Sequence, residues 1–352
     1  MTLKLPLELK DLTGKAGSQA EALEWLSANR LLALTDLLRD RGLIGGELAA
    51  LAKPLGERRA LVSEAMLAHE RRVMGAFVAA GIESLALKGC LLAYGVYPDP
   101  RRRWRADLDV LIAPDSIERA REALAAQRYR PIHTTPGGTP IRQETWFRDD
   151  GEGRQYVDVH WDLRDHPLLR DCFPFAEQYR ASVELPALAP GARGQGNVHA
   201  LLNSVMHWYD DLYEHQQPLA WLLDNDLLWR SMDENQRRTA AQLAIDRGIA
   251  GLLADVLERT RAAFDTPISD DLLAGLTDAG RDEPATRLIA AAVSRYRSFW
   301  LALKSEPSCG ARFSRLRHSL FPPAAYMRER YPGGSRLGLP GLYLRRIWKR
   351  VQ

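Results

Sequence analysis

Apolar residues recur every three or four positions from about residue 18 to 80, in EALEWLSANRLLALTDLLRDRG and again in ERRALVSEAMLAHERRVMGAFVAAG, and each run is closed by a glycine. That period predicts an N-terminal helical segment whose second helix begins near Glu57. The pattern then shortens. IESLALKG reads as a short buried strand, CLLAYGV as a helix, YPDPRRRWR as a solvated loop and ADLDVLI as a second strand, together a β-α-β unit. Beyond Pro114, DSIERAREALAAQR predicts an amphipathic helix with acids at its positive end. IRQETWFRD and RQYVDVHWDL predict two more strands, joined by the glycine turn DGEG. Residues 164 to 196 are rich in Pro, Gly and charge and read as a connection, with GARGQG a flexible loop. Helical periodicity returns from Val198 to about Lys304, clearest in HALLNSVMHWYDDLYEH and PLAWLLDNDLLWRSM. The chain closes on a short helix that sets Leu344, Ile347, Trp348 and Val351 against Arg345, Arg346, Lys349 and Arg350. The expected class is α+β, a small mixed β-sheet flanked by helices. Its expected parts are a helical segment over 1–80, the sheet-bearing core over 81–196, a helical domain over 197–310 and a basic segment over 311–352.

Composition and charge narrow the classes. No stretch approaches 18 consecutive apolar residues, and the opening MTLKLPLELKDLTG lacks the apolar run of a signal peptide, so a cytoplasmic protein without a transmembrane segment is expected. Cys90, Cys172 and Cys309 are far apart and form no CxxC pair, which points to reduced, mostly buried thiols rather than to a disulfide framework or a cysteine zinc site. The net charge of +3 conceals an asymmetry: residues 311–352 hold ten Lys or Arg against the single acid Glu329. A basic tail on an acidic body fits contact with an anionic partner, or with that body itself.

The chemistry concentrates in residues 85 to 112. Aspartate is a poor strand former and is almost never buried without a partner, yet Asp107 and Asp109 stand inside an apolar strand. Residues two apart on a strand project from one face, so the two carboxylates point together and repel. A solvated strand face is the plain alternative, but Leu108 and Val110 are too apolar for an exposed edge. Oxygen-only ligands of this kind suit Mg²⁺ or Mn²⁺. Asp158, between Val157 and Val159, offers a third carboxylate, with His160 and Asp162 on its own face. Three such acids are what metal-assisted phosphoryl transfer needs: two hold the ions, and the third binds one ion and accepts the attacking hydroxyl's proton. Lys88 and Gly89 end a strand and enter a helix, where unpaired backbone N–H groups meet anions and Lys88 supplies a point charge. Arg101, Arg102, Arg103 and Arg105 are further candidates for forked phosphate contacts. His199, His207 and His215 recur every eight residues, but no zinc spacing accompanies them, and core or nucleotide-adjacent histidines are expected. Asp224 is expected in a cap or a salt bridge.

In Leu87-Lys88-Gly89, Tyr97-Pro98 with Arg103, Asp107-Leu108-Asp109 and Asp158-Val159-His160-Trp161, the chain resembles the DNA polymerase beta-like nucleotidyltransferases, specifically their uncharacterised bacterial branch. The likeness extends over most of the chain, through HWYD and WLLDND to LFPPAAYMRERYP. It departs at Gly89-Cys90, where the wider group has Gly-Ser and a hydroxyl for phosphate. The resemblance implies an ATP-binding or other NTP-binding transferase in which Asp107, Asp109 and Asp158 hold Mg²⁺ or Mn²⁺ and Lys88, Gly89 and Arg103 hold phosphates. A nucleoside monophosphate would pass to a hydroxyl-bearing acceptor, which a small molecule, saccharide, protein or RNA can supply. The alternative is a non-catalytic nucleotide-binding or regulatory protein on the same scaffold.

Overall fold

The computed structural model describes residues 18–132, 142–149, 151, 153–210, 218–291, 294–322, 324, 327–328, 331 and 338–351. Helices α1 (Gln19–Ala28), α2 (Thr35–Asp40) and α3 (Gly46–Ala79) form the N-terminal segment. Pro54 lies inside α3, so the helix begins 11 positions before the expected Glu57. Proline there removes one backbone donor. The buried stripe Leu48, Ala49, Ala52, Gly56 and Ala60 nevertheless continues through it, packing on the 3₁₀ turn Leu32–Leu34. Tertiary burial outweighs the local break.

The expected α+β class is what the chain adopts. Among the described residues the strands form one seven-stranded mixed sheet in the order β3-β4-β5-β2-β1-β7-β6. These are β1 (Ser84–Ala86), β2 (Asp107–Ile112), β3 (Arg130–Pro131), β4 (Gln143–Asp149), β5 (Arg154–His160), β6 (Val183–Glu184) and β7 (Arg193–Gly194). Helix α4 (Lys88–Gly95) links β1 to β2, which pair antiparallel, and α5 (Ile117–Ala126) follows β2. The hairpin β4–β5 is present as the glycine turn requires. β2 runs parallel to β5 at the centre of the sheet, where Leu108, Val110, Leu111 and Ile112 are almost wholly buried.

Residues 164–196 are more than a connection. They carry α6 (Phe175–Arg180), β6 and β7, and Gly194 pairs with Ala86 on the far edge of β1. GARGQG is correspondingly not a flexible loop. Gln195 is fully buried and its amide donates to Gln178 Oε1, while it accepts from Asn203 at 3.0 Å. Gly196 enters α7 (Asn197–Asp210) so close to the preceding chain that a β-carbon would lie 2.3 Å from the carbonyl oxygen of Ala181. Backbone cannot yield as a side chain can. Gly196→Ala is expected to cost about 2 kcal/mol or more, read as a lower denaturation midpoint with an unchanged slope.

Helices α7, α8 (Leu219–Ser231), α9 (Glu234–Asp246), α10 (Ala250–Phe264) and α11 (Asp270–Ala279) pack together against the sheet-bearing part. α12 (Arg287–Ala291), α13 (Arg295–Ser305), α14 (Cys309–Leu320) and α15 (Gly338–Val351) follow. On α15 the expected apolar face does not hold at Leu344, which is 69% exposed, whereas Leu342 and Arg346 turn inward. Tyr343 donates to the carbonyl of Pro322, and Arg315 pairs with buried Glu306. The side chains of Ile347, Trp348, Lys349, Arg350 and Val351, and Glu329 and His215 altogether, lie outside the described residues. Cys90 is buried, Cys172 half-buried and Cys309 exposed at the start of α14, so the thiols are less uniformly buried than expected. No described helix is long and apolar enough to cross a membrane.

Candidate active site

The parallel register sets Asp109 directly beside Asp158 and Leu111 beside His160. Strand alternation then puts Asp107, Asp109, Asp158 and His160 on one face of the two central strands. Among the described residues, Asp109, Asp158 and His160 bring one ligand atom each within 4.8 Å of the others. Asp107 extends the carboxylate row without entering that group. Asp162, expected on the same face, turns instead to Arg142 and to the backbone N–H of Asp171.

The three aspartates have different surroundings. Asp109 Oδ1 accepts from Lys88 Nζ at 2.6 Å and lies 2.8 Å from His160 Nε2. Burial alone would raise its pKa, but the Lys88 ammonium and His160 outweigh burial and hold it well below the usual carboxylate range. Asp107 has no such donor. Burial and then repulsion from Asp109 push it up to about 7. Asp158 Oδ1 is buried and has no hydrogen-bond partner among the described residues. Two under-compensated carboxylates facing a third are what a bound divalent cation would relieve, so these residues fit Mg²⁺ or Mn²⁺. His160, a nitrogen donor already engaged with Asp109, fits better as the group that orients this carboxylate than as a ligand to a hard cation.

Lys88 opens α4 with a φ of +46°, a left-handed backbone that a side chain disfavours by about 1 kcal/mol or more. No side chain caps α4, which leaves the N–H groups of its first turn available to an anion. At Gly89 a β-carbon would meet Arg105 Cβ at 3.1 Å, close enough that the Arg105 side chain would have to shift. Cys90 is buried in the core beside Glu70 and Arg105.

The arginine loop is only partly solvated. Arg101 pairs with Asp99, and Arg102 with Glu57 and the carbonyl of Ala33. Arg105 is buried and grips the fully buried Glu70 with both ends of its fork, while donating to the carbonyls of Pro100 and Arg103. Arg103 is buried as well. Its Nε and Nη2 reach Asp224 at 2.8 and 2.7 Å, and Tyr97 donates to the same carboxylate at 2.7 Å. Asp224 thus forms the expected salt bridge, one that ties α8 to the sheet.

A cavity of about 40 Å³ adjoins these groups, lined among others by Lys88, Arg103, Asn203, His207, Trp221 and Asp224. His207 lies 4.6 Å from the Trp221 ring, tilted by 35°. Burial, then Lys88 and Arg164, hold it neutral, well below the ordinary histidine value. The sequence marked His207 as core or nucleotide-adjacent, and it borders Lys88; Trp221 carried no signal beyond helical periodicity. His199 instead meets Glu177 at 3.0 Å and the edge of Phe173.

A protein-family model described as an uncharacterised nucleotidyltransferase matches residues 45–265. No curated protein and no solved structure matches the chain at a significant level.

Proposed function

Because the chain belongs to the uncharacterised nucleotidyltransferase family, we propose that it uses a divalent cation to move a nucleoside monophosphate from an NTP to a hydroxyl acceptor, releasing pyrophosphate. The observation that carries this reading is the facing pair Asp109 and Asp158 on parallel strands, with an unpartnered buried oxygen on Asp158. Asp107, Asp109 and Asp158 would hold Mg²⁺ or Mn²⁺, which when bound neutralises phosphate oxygens and acidifies the acceptor hydroxyl.

The chain's own groups supply the rest. The acceptor oxygen attacks the α-phosphorus, the bond from that phosphorus to the β-phosphate oxygen breaks, and pyrophosphate leaves with the electron pair. Asp158 Oδ1, which accepts nothing from the described residues, takes the hydroxyl proton. His160 keeps Asp109 turned toward the site. Lys88 moves its charge between Asp109 and the phosphates, and the N–H of Gly89 receives a phosphate oxygen at the start of α4. Arg103 offers the N–H groups left over from its fork on Asp224. α8, held by that fork, closes the phosphate side of the cavity.

Radiolabelled NTP with Mg²⁺ should give label transfer and pyrophosphate, and calorimetry should show NTP binding at least about tenfold weaker in EDTA, because the carboxylate row repels a triphosphate until cations neutralise it. Equal affinity in Mg²⁺ and in EDTA would remove the metal assignment.

A further inference from the structure

Two arginines with no part in the chemistry above lie over one tryptophan beside Asp107. The guanidinium carbon of Arg30 is 4.4 Å from the centroid of the Trp104 ring, and that of Arg59 is 5.8 Å away. Trp104 stands three residues before Asp107, and its carbonyl accepts from Arg103. Neither the Arg30 nor the Arg59 guanidinium forms a hydrogen bond or ion pair among the described residues, although both side chains are partly buried. Their neighbours behave otherwise: Arg101, Arg102, Arg103 and Arg105 each have a carboxylate partner. Partly buried cations without a bonded counter-charge are costly, and here two lie against one ring.

The placement of Arg30 is enforced. It follows α1 with a φ of +60°, its N–H donating to the carbonyl of Ser27. The adjacent Asn29 accepts from the backbone N–H groups of Leu219 and Ala220, the first two residues of α8. The strained turn carrying Arg30 is therefore pinned to the helix that carries Trp221 and Asp224. Burial depresses the Arg30 pKa, and the charges acting on it are Arg103, Asp107, Arg59 and Asp224. Asp224 is already taken by Arg103, and a cation on Asp107 would occupy the other nearby acid. Among the described residues no further acid is left to balance the pair, and an external anion would do so.

We propose that Arg30 and Arg59, stacked over Trp104, form an oxyanion subsite for the terminal phosphates of the NTP. This deepens the nucleotidyltransferase reading and rests on it. With the α-phosphorus at Asp109 and Asp158, the β- and γ-phosphates would need cations beside it, and Arg30 lies within electrostatic reach of Asp107, Arg103 and Asp224, the last two of which line the cavity with Lys88. Two guanidiniums there stabilise the charge that develops on departing pyrophosphate. Arg30 precedes the family-matched residues 45–265, so this part of the subsite comes from outside them.

Inorganic tripolyphosphate tests the subsite independently of base identity. Calorimetry in Mg²⁺ compares the full chain with Arg30→Gln and Arg59→Gln, and with Arg238→Gln, whose exposed partner Glu234 is elsewhere, as control. Each of the first two is expected to weaken tripolyphosphate about tenfold and an NMP less than twofold, at unchanged melting temperature. Arg30→Lys should recover part of the loss. Wild-type protein that does not bind tripolyphosphate, affinities within twofold of wild type in both Gln variants, or an equal loss for the NMP would each overturn the proposal. Arginine-dependent tripolyphosphate binding without label transfer supports the subsite while removing the nucleotidyltransferase reading. Transfer by both variants at wild-type KM for NTP overturns the subsite and leaves that reading standing.

Discussion

Asp109→Asn and Asp107→Asn should each lower nucleotidyl transfer at least about 10³-fold, yet move the stability of the metal-free protein in opposite directions. The loss of rate follows if the carboxylate removed is one whose charge would hold the cation, an effect worth about 4 kcal/mol or more in the transition state. The stability effects follow from the two environments. Asp109 carries the charge that Lys88 and His160 face, and its side chain is 6% exposed. With Asn there, the Lys88 ammonium, itself 21% exposed, stays near the interior without its partner, at a cost of about 2–3 kcal/mol at pH 7. Because the folded pKa of Asp109 is depressed, this contribution is present above the unfolded value of 3.8 and is lost as the pH falls toward the lower folded value.

Asp107 behaves in the reverse sense. It keeps its proton in the folded metal-free protein up to about pH 7, against an ordinary value of 3.8. Between those values the unfolded chain binds fewer protons, so wild-type stability falls as the pH rises through that window. A rise of that size corresponds to about 4 kcal/mol at most, and partial exposure of Asp107 reduces this to about 1–2 kcal/mol. Asp107→Asn should therefore be the more stable protein at pH 8 in EDTA, with a flatter profile from pH 4 to 7, and should gain less from added Mg²⁺. Denaturant melts of both variants across that range check this. Equal destabilisation by both substitutions would make Asp107 a structural residue.

The alternation of β2 and β5 is enough by itself to put Asp107, Asp109, Asp158 and His160 on shared faces, because a period of two leaves little freedom once the apolar partners are fixed. The hairpin turn and the helix after Pro114 were legible for the same reason: each depends on residues close in sequence. What the chain concealed depends on distant partners. Arg105 reads as a loop charge until Glu70, 35 residues away, supplies a buried counter-charge. Gly194 and Gly196 read as loop glycines until packing beside Leu91 and Ala181 shows why no side chain fits. The helical run is legible only from Glu57, because the pull that carries α3 through Pro54 is the burial of residues packed on the distant turn Leu32–Leu34. The standing of Arg103 is intermediate. Motif order singled it out, but its fork on Asp224, 121 residues away, has no local signal.

That fork carries the second large effect. Asp224→Ala leaves Arg103, with a side chain 7% exposed, charged and unpaired in the interior, and also removes the acceptor of the Tyr97 hydroxyl. A loss of about 3–4 kcal/mol is expected, since breaking one side of a buried pair costs more than the pair itself contributes. The double variant Arg103→Met/Asp224→Leu removes both charges and should regain stability to within about 1–2 kcal/mol of wild type. Its catalysis separates two roles for Arg103. A guanidinium that only anchors α8 can be replaced by this apolar pair with KM for NTP nearly unchanged. A guanidinium that also reaches phosphate with its remaining N–H groups cannot, and KM should rise about tenfold in a protein that melts almost normally. Arg103→Lys sharpens the comparison, because it keeps the charge beside Asp224 but loses the fork, so stability should fall by only about 1 kcal/mol while the phosphate contact weakens. Recovery of both stability and KM in the double variant would confine Arg103 to the anchor and leave Lys88 and the first turn of α4 as the phosphate-binding groups on that side of the cavity.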